Sequence, residues 1–267
     1  MGSFDFTAAP EASGIAASRR NPGLLYVLDD GPGTTSLVVL RARTGRMLGR
    51  LHVLGFHGTD TEDLAVARCA PGHAATCVFI GDIGDNLAAR DSIELLRVRE
   101  PVLGPDVPSV PVPAERAILR YPDRPHDAEA LLVADDGSIG IVTKAAGRSG
   151  RGAARLYTTT TFRDGILRDS GRVGVPAPAV AVATAVVGNV VTGGDSVGGR
   201  VVLRTYDAIY EFHGSRGGAL RDFPSWPVTQ LAAPAERQGE AVAYGADGCT
   251  LFTVSEESGA LTMMECR

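Results

Sequence analysis

The residues most able to do chemistry in this chain are carboxylates that recur in one local setting: an acid, a small residue, then a short apolar run. Glu11 opens EASGIAAS, Glu62 stands in TEDLAVA, Glu129 opens EALLVAD and Glu240 opens EAVAYGADG; a weaker version, GGDSVGG, carries Asp195. If these run starts face one axis, Glu11, Glu62, Asp63, Glu129, Asp195 and Glu240 crowd together. Unpaired carboxylates at such quarters repel or become protonated at a cost, and a cation removes that cost. Hard oxygen donors arriving from several strands suit Ca²⁺, which takes about six to eight of them in flexible geometry. The plainer use of any single acid is a turn cap or a surface pair with arginine, so the argument for a site rests on the repetition.

Each acidic start is followed by a second apolar run with a polar residue near its end. These are Asp29 in YVLDD, Asp82 in VFIGD, Lys144 in IVTK, Arg204 in VVLRT and Glu256 in FTVSE. Asp82, Lys144 and Arg204 are therefore candidates for handling a substrate, joined by His126 and Asp127, which precede Glu129. A histidine among carboxylates can act as a general base; its plainer use is a hydrogen bond to a loop neighbour. Lys144 is the only lysine among 26 basic residues. A compact ammonium enters a crowded site where a planar guanidinium does not fit, although composition alone also leaves an occasional lysine. The oxygen donors of GDIGDN suit either a second ion or a turn, and a turn is the commoner use. Ser196 matches no nucleophile elbow and no Ser/His/Asp order stands out, which disfavours acyl-enzyme chemistry.

Something must bring these residues together. The stretch TEDLAVARCAPGHAATCVFIGDIGDN holds two strand-length apolar runs around a Pro/Gly loop, an antiparallel hairpin with an acidic rim. The spacings between acidic starts are 51, 67, 66 and 45 residues. Those intervals approximate a four-stranded propeller blade of about 40 to 50 residues plus loops. The sequence thus predicts an all-β fold, one domain over residues 1–267, built as a five-bladed β-propeller. A six-bladed ring, with the Ala/Val stretch before Thr192 as an extra blade, is the alternative. Only three runs follow Glu240, so the N-terminal FDFTA is expected to complete the last blade and close the ring. The proline-rich segment 101 to 113 reads as an exposed loop.

Hydrophobic residues make up 44% of the chain, with 33 Gly and 16 Pro, so it can bury a core and must turn often. No apolar run is long enough for a membrane span. A net charge of −5 argues against nucleic acid as a partner. Cys69 and Cys77 bracket one hairpin loop, while Cys249 and Cys266 sit equidistant from a turn, which predicts two local disulfides and a secreted or extracytoplasmic setting. Four buried thiols in a cytosolic protein are the alternative. The opening MGSFDF carries no basic-then-apolar signal segment of its own. A monomer is expected.

The phrases EASGIAAS, LLYVLDDG and TEDLAVAR, in that order, resemble the opening of the esterase-like phytase domain family and related bacterial extracytoplasmic propellers. The five-unit organisation resembles the calcium-activated nucleotidase (apyrase) family, in which the first strand of each blade points a Ser or Glu into a central calcium site. That resemblance implies ligands at Ser13, Glu62, Glu129, Asp195 or Ser196, and Glu240, the fourth repeat departing from the rule with GGDS. The functional expectation is a calcium-binding hydrolase of a phosphate-bearing or other anionic small substrate. The alternative is a non-catalytic propeller with a structural Ca²⁺ and a glycan, peptide or envelope partner.

Overall fold

The computed structural model describes residues 2–3, 8–105, 107–144, 153–215, 217–236, 238–256 and 258–266. Its strands run as successive antiparallel meanders. The first comprises β2 (Ala12–Ala17), β3 (Leu24–Asp29), β4 (Ser36–Arg41) and β5 (Met47–Leu54), and the next β6 (Asp63–Arg68), β7 (Thr76–Asp82), β8 (Ile93–Arg99) and β9 (Ser109–Arg120). Then come β10 (Ala128–Val133), β11 (Ile139–Thr143), β12 (Ala154–Thr159) and β14 (Arg168–Val173), with the two-residue β13 (Gly165–Ile166) beside β9. After a four-residue helix α1 (Thr184–Val187) follow β15 (Val191–Val197), β16 (Arg200–Thr205), β17 (Ile209–His213), a 3-10 turn over Leu220–Ser225, and β18 (Val228–Leu231). The last meander is β19 (Gly239–Tyr244), β20 (Leu251–Ser255) and β21 (Ala260–Met264), completed by β1 (Gly2–Ser3) from the other end of the chain. Hydrogen bonding links these strands into four sheets, the largest containing both opening meanders.

The first strand of each meander packs on the first strand of the next, β2 on β6, β6 on β10, β10 on β15, β15 on β19 and β19 back on β2. This is a propeller-type ring. Between successive meanders lies a separate apolar layer: Leu64, Val78 and Tyr26 in one, Phe79, Leu131 and Tyr157 in the next, Leu203, Tyr210 and Leu156 in another. Each such aliphatic side chain contributes roughly 1.5–3 kcal/mol on burial. The inner strands are buried on both faces and built from small residues, as ASGIAA and GEAVAY show. The reason is crowding at the axis: a Cβ at Gly14 of β2 would sit 2.9 Å from the Cα of Asp63, and one at Gly193 of β15 2.7 Å from the carbonyl oxygen of Glu240.

Four inner strands share a second device, a register shift at their first residues. It falls between Ala12 and Gly14, Ala128 and Ala130, Val191 and Gly193, and Gly239 and Ala241. The residues inside these bulges are Ser13, Glu129, Thr192 and Glu240. A bulge re-aims one side chain without shifting the rest of the ladder. In the fourth repeat the residue structurally equivalent to Glu129 and Glu240 is thus Thr192, three positions before the Asp195 that sequence pattern selects.

Three other expectations need correction or placing. The segment 101 to 113 is not all loop, since β9 begins at Ser109 and pairs in parallel with β5, His52 opposite Pro111 and Leu54 opposite Pro113. Pro111 and Pro113 are two residues apart, so both missing donors point to one edge, and β8 occupies that edge only from Ala114 onward. The Ala/Val stretch that the alternative six-bladed reading would make an extra blade forms loop and α1 instead of strands. Of FDFTA, residues 4–7 lie outside the described residues, and the strand that meets β21 is Gly2–Ser3. Both cysteine pairs are disulfide-bonded, Cys69 to Cys77 and Cys249 to Cys266, which fits an oxidising, extracytoplasmic setting. No helix is long and apolar enough to cross a membrane among the described residues.

Candidate metal centre at the mouth of the ring

Where the inner strands begin, the ring opens into a cavity of about 150 Å³ lined by Glu11, Ser13, Asp30, Glu62, Asn86, Glu129, Lys144, Tyr206, Gln238, Glu240 and Glu256. Two carboxylate triads meet there, Asp30 with Asp60 and Glu62, and Glu62 with Asp127 and Glu129. Within each triad, one oxygen from every residue lies within 4.8 Å of the others. Glu62, which is 4% exposed, belongs to both.

The chain holds these acids in place through backbone N–H groups and neighbouring carbonyls. Asp82 accepts from the backbone N–H groups of Thr59 and Asp60, at 3.0 Å each, and pairs with Arg90 at 2.8 Å, so it fixes the loop that presents Asp60. Asp29 accepts the N–H of Glu11 at 2.9 Å, leaving the next residue, Asp30, to face the cavity. The backbone of Gly84 lies against the first triad: a Cβ there would stand 2.3 Å from Glu62 Oε1 and 2.7 Å from Asp60 Oδ2. The hydroxyl of Ser13 donates to the carbonyl of Thr61 at 3.0 Å, just ahead of Glu62. Thr192 does the same for the carbonyl of Gly239 at 2.9 Å, just ahead of Glu240. Two bulged hydroxyl residues therefore each anchor the strand start that carries the next meander's glutamate.

Electrostatically the mouth is strained. Burial, then the Asp60 and Glu129 charges, push Asp30 up to about 7. Burial, then Glu129, raises both Glu62 and Glu240 well above the usual carboxylate range, and burial followed by Asp127 raises Asp60. Among the described residues Lys144 is the only cationic side chain lining the cavity, and it donates to Glu129 Oε1. Burial alone would lower the Lys144 ammonium, but the Glu129 carboxylate outweighs it and holds the group above its ordinary value. On the far side Gln238 donates to Glu240, at 2.6 Å, and to Glu256. The donor set is all oxygen, anionic and drawn from different loops and strands, which fits a hard divalent cation such as Ca²⁺ and not a thiolate- or imidazole-seeking metal.

Of the residues singled out from sequence, Glu11, Ser13, Glu62, Glu129, Lys144 and Glu240 line this cavity, and Asp127 belongs to the second triad. Four candidates are placed elsewhere. Asp195 lines a different cavity and spends its carboxylate on the N–H groups of Ser196 (2.7 Å) and Tyr244 (2.9 Å). Arg204 is fully buried behind the wall, paired at 2.9 Å with Glu236, which also accepts from Thr253 and Thr262 and so ties two meanders together. The Nε2 of His126 lies 3.0 Å from Asp123 and 2.7 Å from the Tyr157 hydroxyl, packed edge-on to Tyr121. Asp82 is consumed by its loop, and Asp85 likewise accepts the N–H groups of Ala89 and Arg90, the turn use of GDIGDN. Asp30, Asp60, Tyr206 and Gln238 were not selected from sequence. Asp30 offered one usable signal, since it directly follows a strand end and doubles the acid of VLDD.

No family model matches the chain, and no curated protein is similar to it. Among solved structures, a gluconolactonase from Xanthomonas campestris is 13% identical, covering 90% of this chain and 67% of its own, with a TM-score of 0.46. Hydrazine synthase from Kuenenia stuttgartiensis is 8% identical over 96% of each chain, with a TM-score of 0.44. The nidogen/laminin complex contains a chain 12% identical, covering 96% of this chain and 76% of that one, with a TM-score of 0.45. At such scores the fold rests on the strand pairings and ring contacts above, and no activity of these proteins transfers to this chain.

Proposed function

We propose that this chain is a single-domain, five-bladed, secreted or extracytoplasmic propeller that uses Ca²⁺ at the mouth of its ring to hydrolyse a small substrate bearing a phosphate or another anionic group. One observation carries the reading: Glu62, buried and shared by two carboxylate triads, stands beside a single lysine already committed to Glu129. Glu62, Asp127 and Glu129, with Asp30 and Asp60, would hold the cation, which supplies charge for binding an anionic oxygen and polarising the bond to be broken. The chain's own groups then divide the remaining work. Lys144 offsets Glu129 and presents an ammonium to the cavity. The Tyr206 hydroxyl lines the cavity as a donor that can orient substrate oxygens, while the Gln238 amide holds Glu240 and Glu256 in place. Burial, then the Glu129 charge, favours the protonated form of Glu240, which lines the cavity and can release a proton during hydrolysis.

The second reading, a binding propeller with a structural ion and a glycan, peptide or envelope ligand, is favoured by one specific observation. His126 is held away in the Asp123/Tyr157 cluster, so no imidazole lines the cavity among the described residues. Turnover of phosphoesters, nucleotides and lactones, each measured with calcium and with chelator, separates the two. Calcium-dependent hydrolysis of any one is the expected result. Uniform inactivity together with a calcium-dependent rise in melting temperature would instead establish the binding module.

A further inference from the structure

The two triads are not equivalent in what balances them. The triad of Glu62, Asp127 and Glu129 has Lys144 against it. Among the described residues no cationic side chain pairs with Asp30, Asp60 or Glu62: Arg90, whose charge reaches Asp60, is hydrogen-bonded to Asp82 and to the carbonyl of Gly84. No N–H or hydroxyl among the described residues donates to the Glu62 carboxylate, which is 4% exposed, and its side-chain partner is the Glu129 carboxyl. A buried carboxylate in that state requires a counter-charge. Gly84 packs directly against this cluster: a Cβ there would meet Glu62 Oε1 at 2.3 Å and Asp60 Oδ2 at 2.7 Å, so any side chain at this position would displace both oxygens.

We infer that the mouth of the ring binds two divalent cations, one in each triad, with the Glu62 carboxylate bridging them. This deepens the cation reading above and rests on it. Glu62 can serve both because it has two oxygens and no competing donor, and because it stands where loops from three meanders converge: Asp30 after β3, Asp60 before β6, and Asp127 before β10. The arrangement accounts for three otherwise unrelated features. Lys144 pairs with Glu129 of the second triad and reaches the first only through the shared Glu62. Asp82 is devoted to holding the backbone of Asp60. The N–H of Asp85 donates to Asp127 Oδ1 at 2.8 Å, leaving its other oxygen available. With both ions present a bidentate anion spanning them becomes the natural ligand, so the substrate class narrows to groups with two geminal anionic oxygens, such as a phosphate, over a lactone.

Calorimetric titration of chelator-stripped full-length protein with CaCl₂, supported by metal analysis after dialysis, tests this. Two Ca²⁺ per chain are expected for the wild type. Asp30→Asn should reduce the stoichiometry to one by removing the first ion, and Glu129→Gln should do so by removing the second. Glu62→Gln should weaken both by about tenfold or more. Asp30 is partly exposed, so its substitution leaves a folded protein, verified by circular dichroism, even if Glu62→Gln does not. One ion per chain in the wild type, or two retained in Asp30→Asn, overturns the inference while leaving the single-ion reading intact. No bound calcium overturns both.

Discussion

Glu62 and Asp63 are consecutive carboxylates at the start of the same strand, both buried, and they do opposite things. Asp63 accepts backbone N–H bonds from Leu64 (2.8 Å), Leu131 (2.9 Å) and Gly194 (3.2 Å), the last two from the inner strands of the following meanders. Asp195 repeats the device one strand further on, reaching Tyr244. Among the described residues Glu62 has no such donors and meets other carboxylates instead. Residue type and burial therefore do not distinguish a staple from a ligand; the supply of donors does. The throat of the ring uses carboxylates to tie inner strands together, and the mouth leaves Glu62 among other carboxylates, as the proposed cation site requires.

The largest effect that would break this comparison is expected in the throat. Asp63→Ala orphans three buried N–H groups, at about 1–3 kcal/mol each, so the variant should lose roughly 4 to 6 kcal/mol in urea unfolding. A loss below about 1 kcal/mol would mean that the inner strands do not depend on this acid. The next effect is a pH dependence from Asp195, which burial raises from 3.8 to about 6 against the N–H groups of Tyr244 and Ser196 and the charge of Arg19. The folded state thus binds this proton more tightly than the unfolded chain. Its contribution is full below about pH 4 and is lost as the pH rises to about 6, a fall of roughly 3 kcal/mol in unfolding free energy. Because Asp195 lies outside the mouth, that slope should persist in saturating calcium. A slope abolished by calcium would assign it to the mouth instead.

How far the sequence revealed this division depends on what kind of information each part needs. Repetition of an acid before a small-residue run marked β6, β10 and β19 and their glutamates, because the inner strands of a ring face the same crowding and solve it with the same residues. The fourth repeat failed on that basis. Its bulge residue is Thr192, which resembles Ser13 in its role and no glutamate in its letter, while Asp195 resembles a ligand and acts as a staple. Arg204 and Asp82 sat at the expected polar positions, yet their partners, Glu236 and the loop of Asp60, come from other segments that no local pattern identifies. Asp30 and Asp60 lie in loops without periodicity, and only the closed ring brings them within 4.8 Å of Glu62.

A smaller effect concerns Lys144, the one cationic side chain among the described residues that lines the mouth. Lys144 enters the cavity from the end of β11 and reaches Glu129 with a single ammonium. Lys144→Arg keeps the charge but replaces that point donor with a broad planar group that the neighbouring Tyr206 and Glu129 leave little room for. Calcium-dependent turnover, or calcium affinity if the chain is a binding module, should fall by about tenfold. Lys144→Met should fall nearly as far. Wild-type behaviour of the arginine variant would show that only the charge matters.

The smallest expected change in stability is the most telling counterpart to Asp63. Glu62→Gln is nearly isosteric and removes a charge to which no N–H or hydroxyl among the described residues donates, so metal-free stability should stay within about 1 kcal/mol of wild type or rise. Asp63→Asn, equally conservative on paper, leaves one of its N–H partners facing an amide donor and should clearly lower it. In calcium the order of consequences reverses. Wild type and Asp63→Asn should both gain melting temperature through binding linkage, and Glu62→Gln should gain little, because the ligand it lost served only the bound state. Parallel melting curves of the two variants, with calcium and with chelator, measure all of these at once. If Glu62→Gln melts well below wild type in chelator, then Glu62 carries structural weight that its surroundings do not show, and the contrast between mouth and throat fails at the residue on which it is drawn.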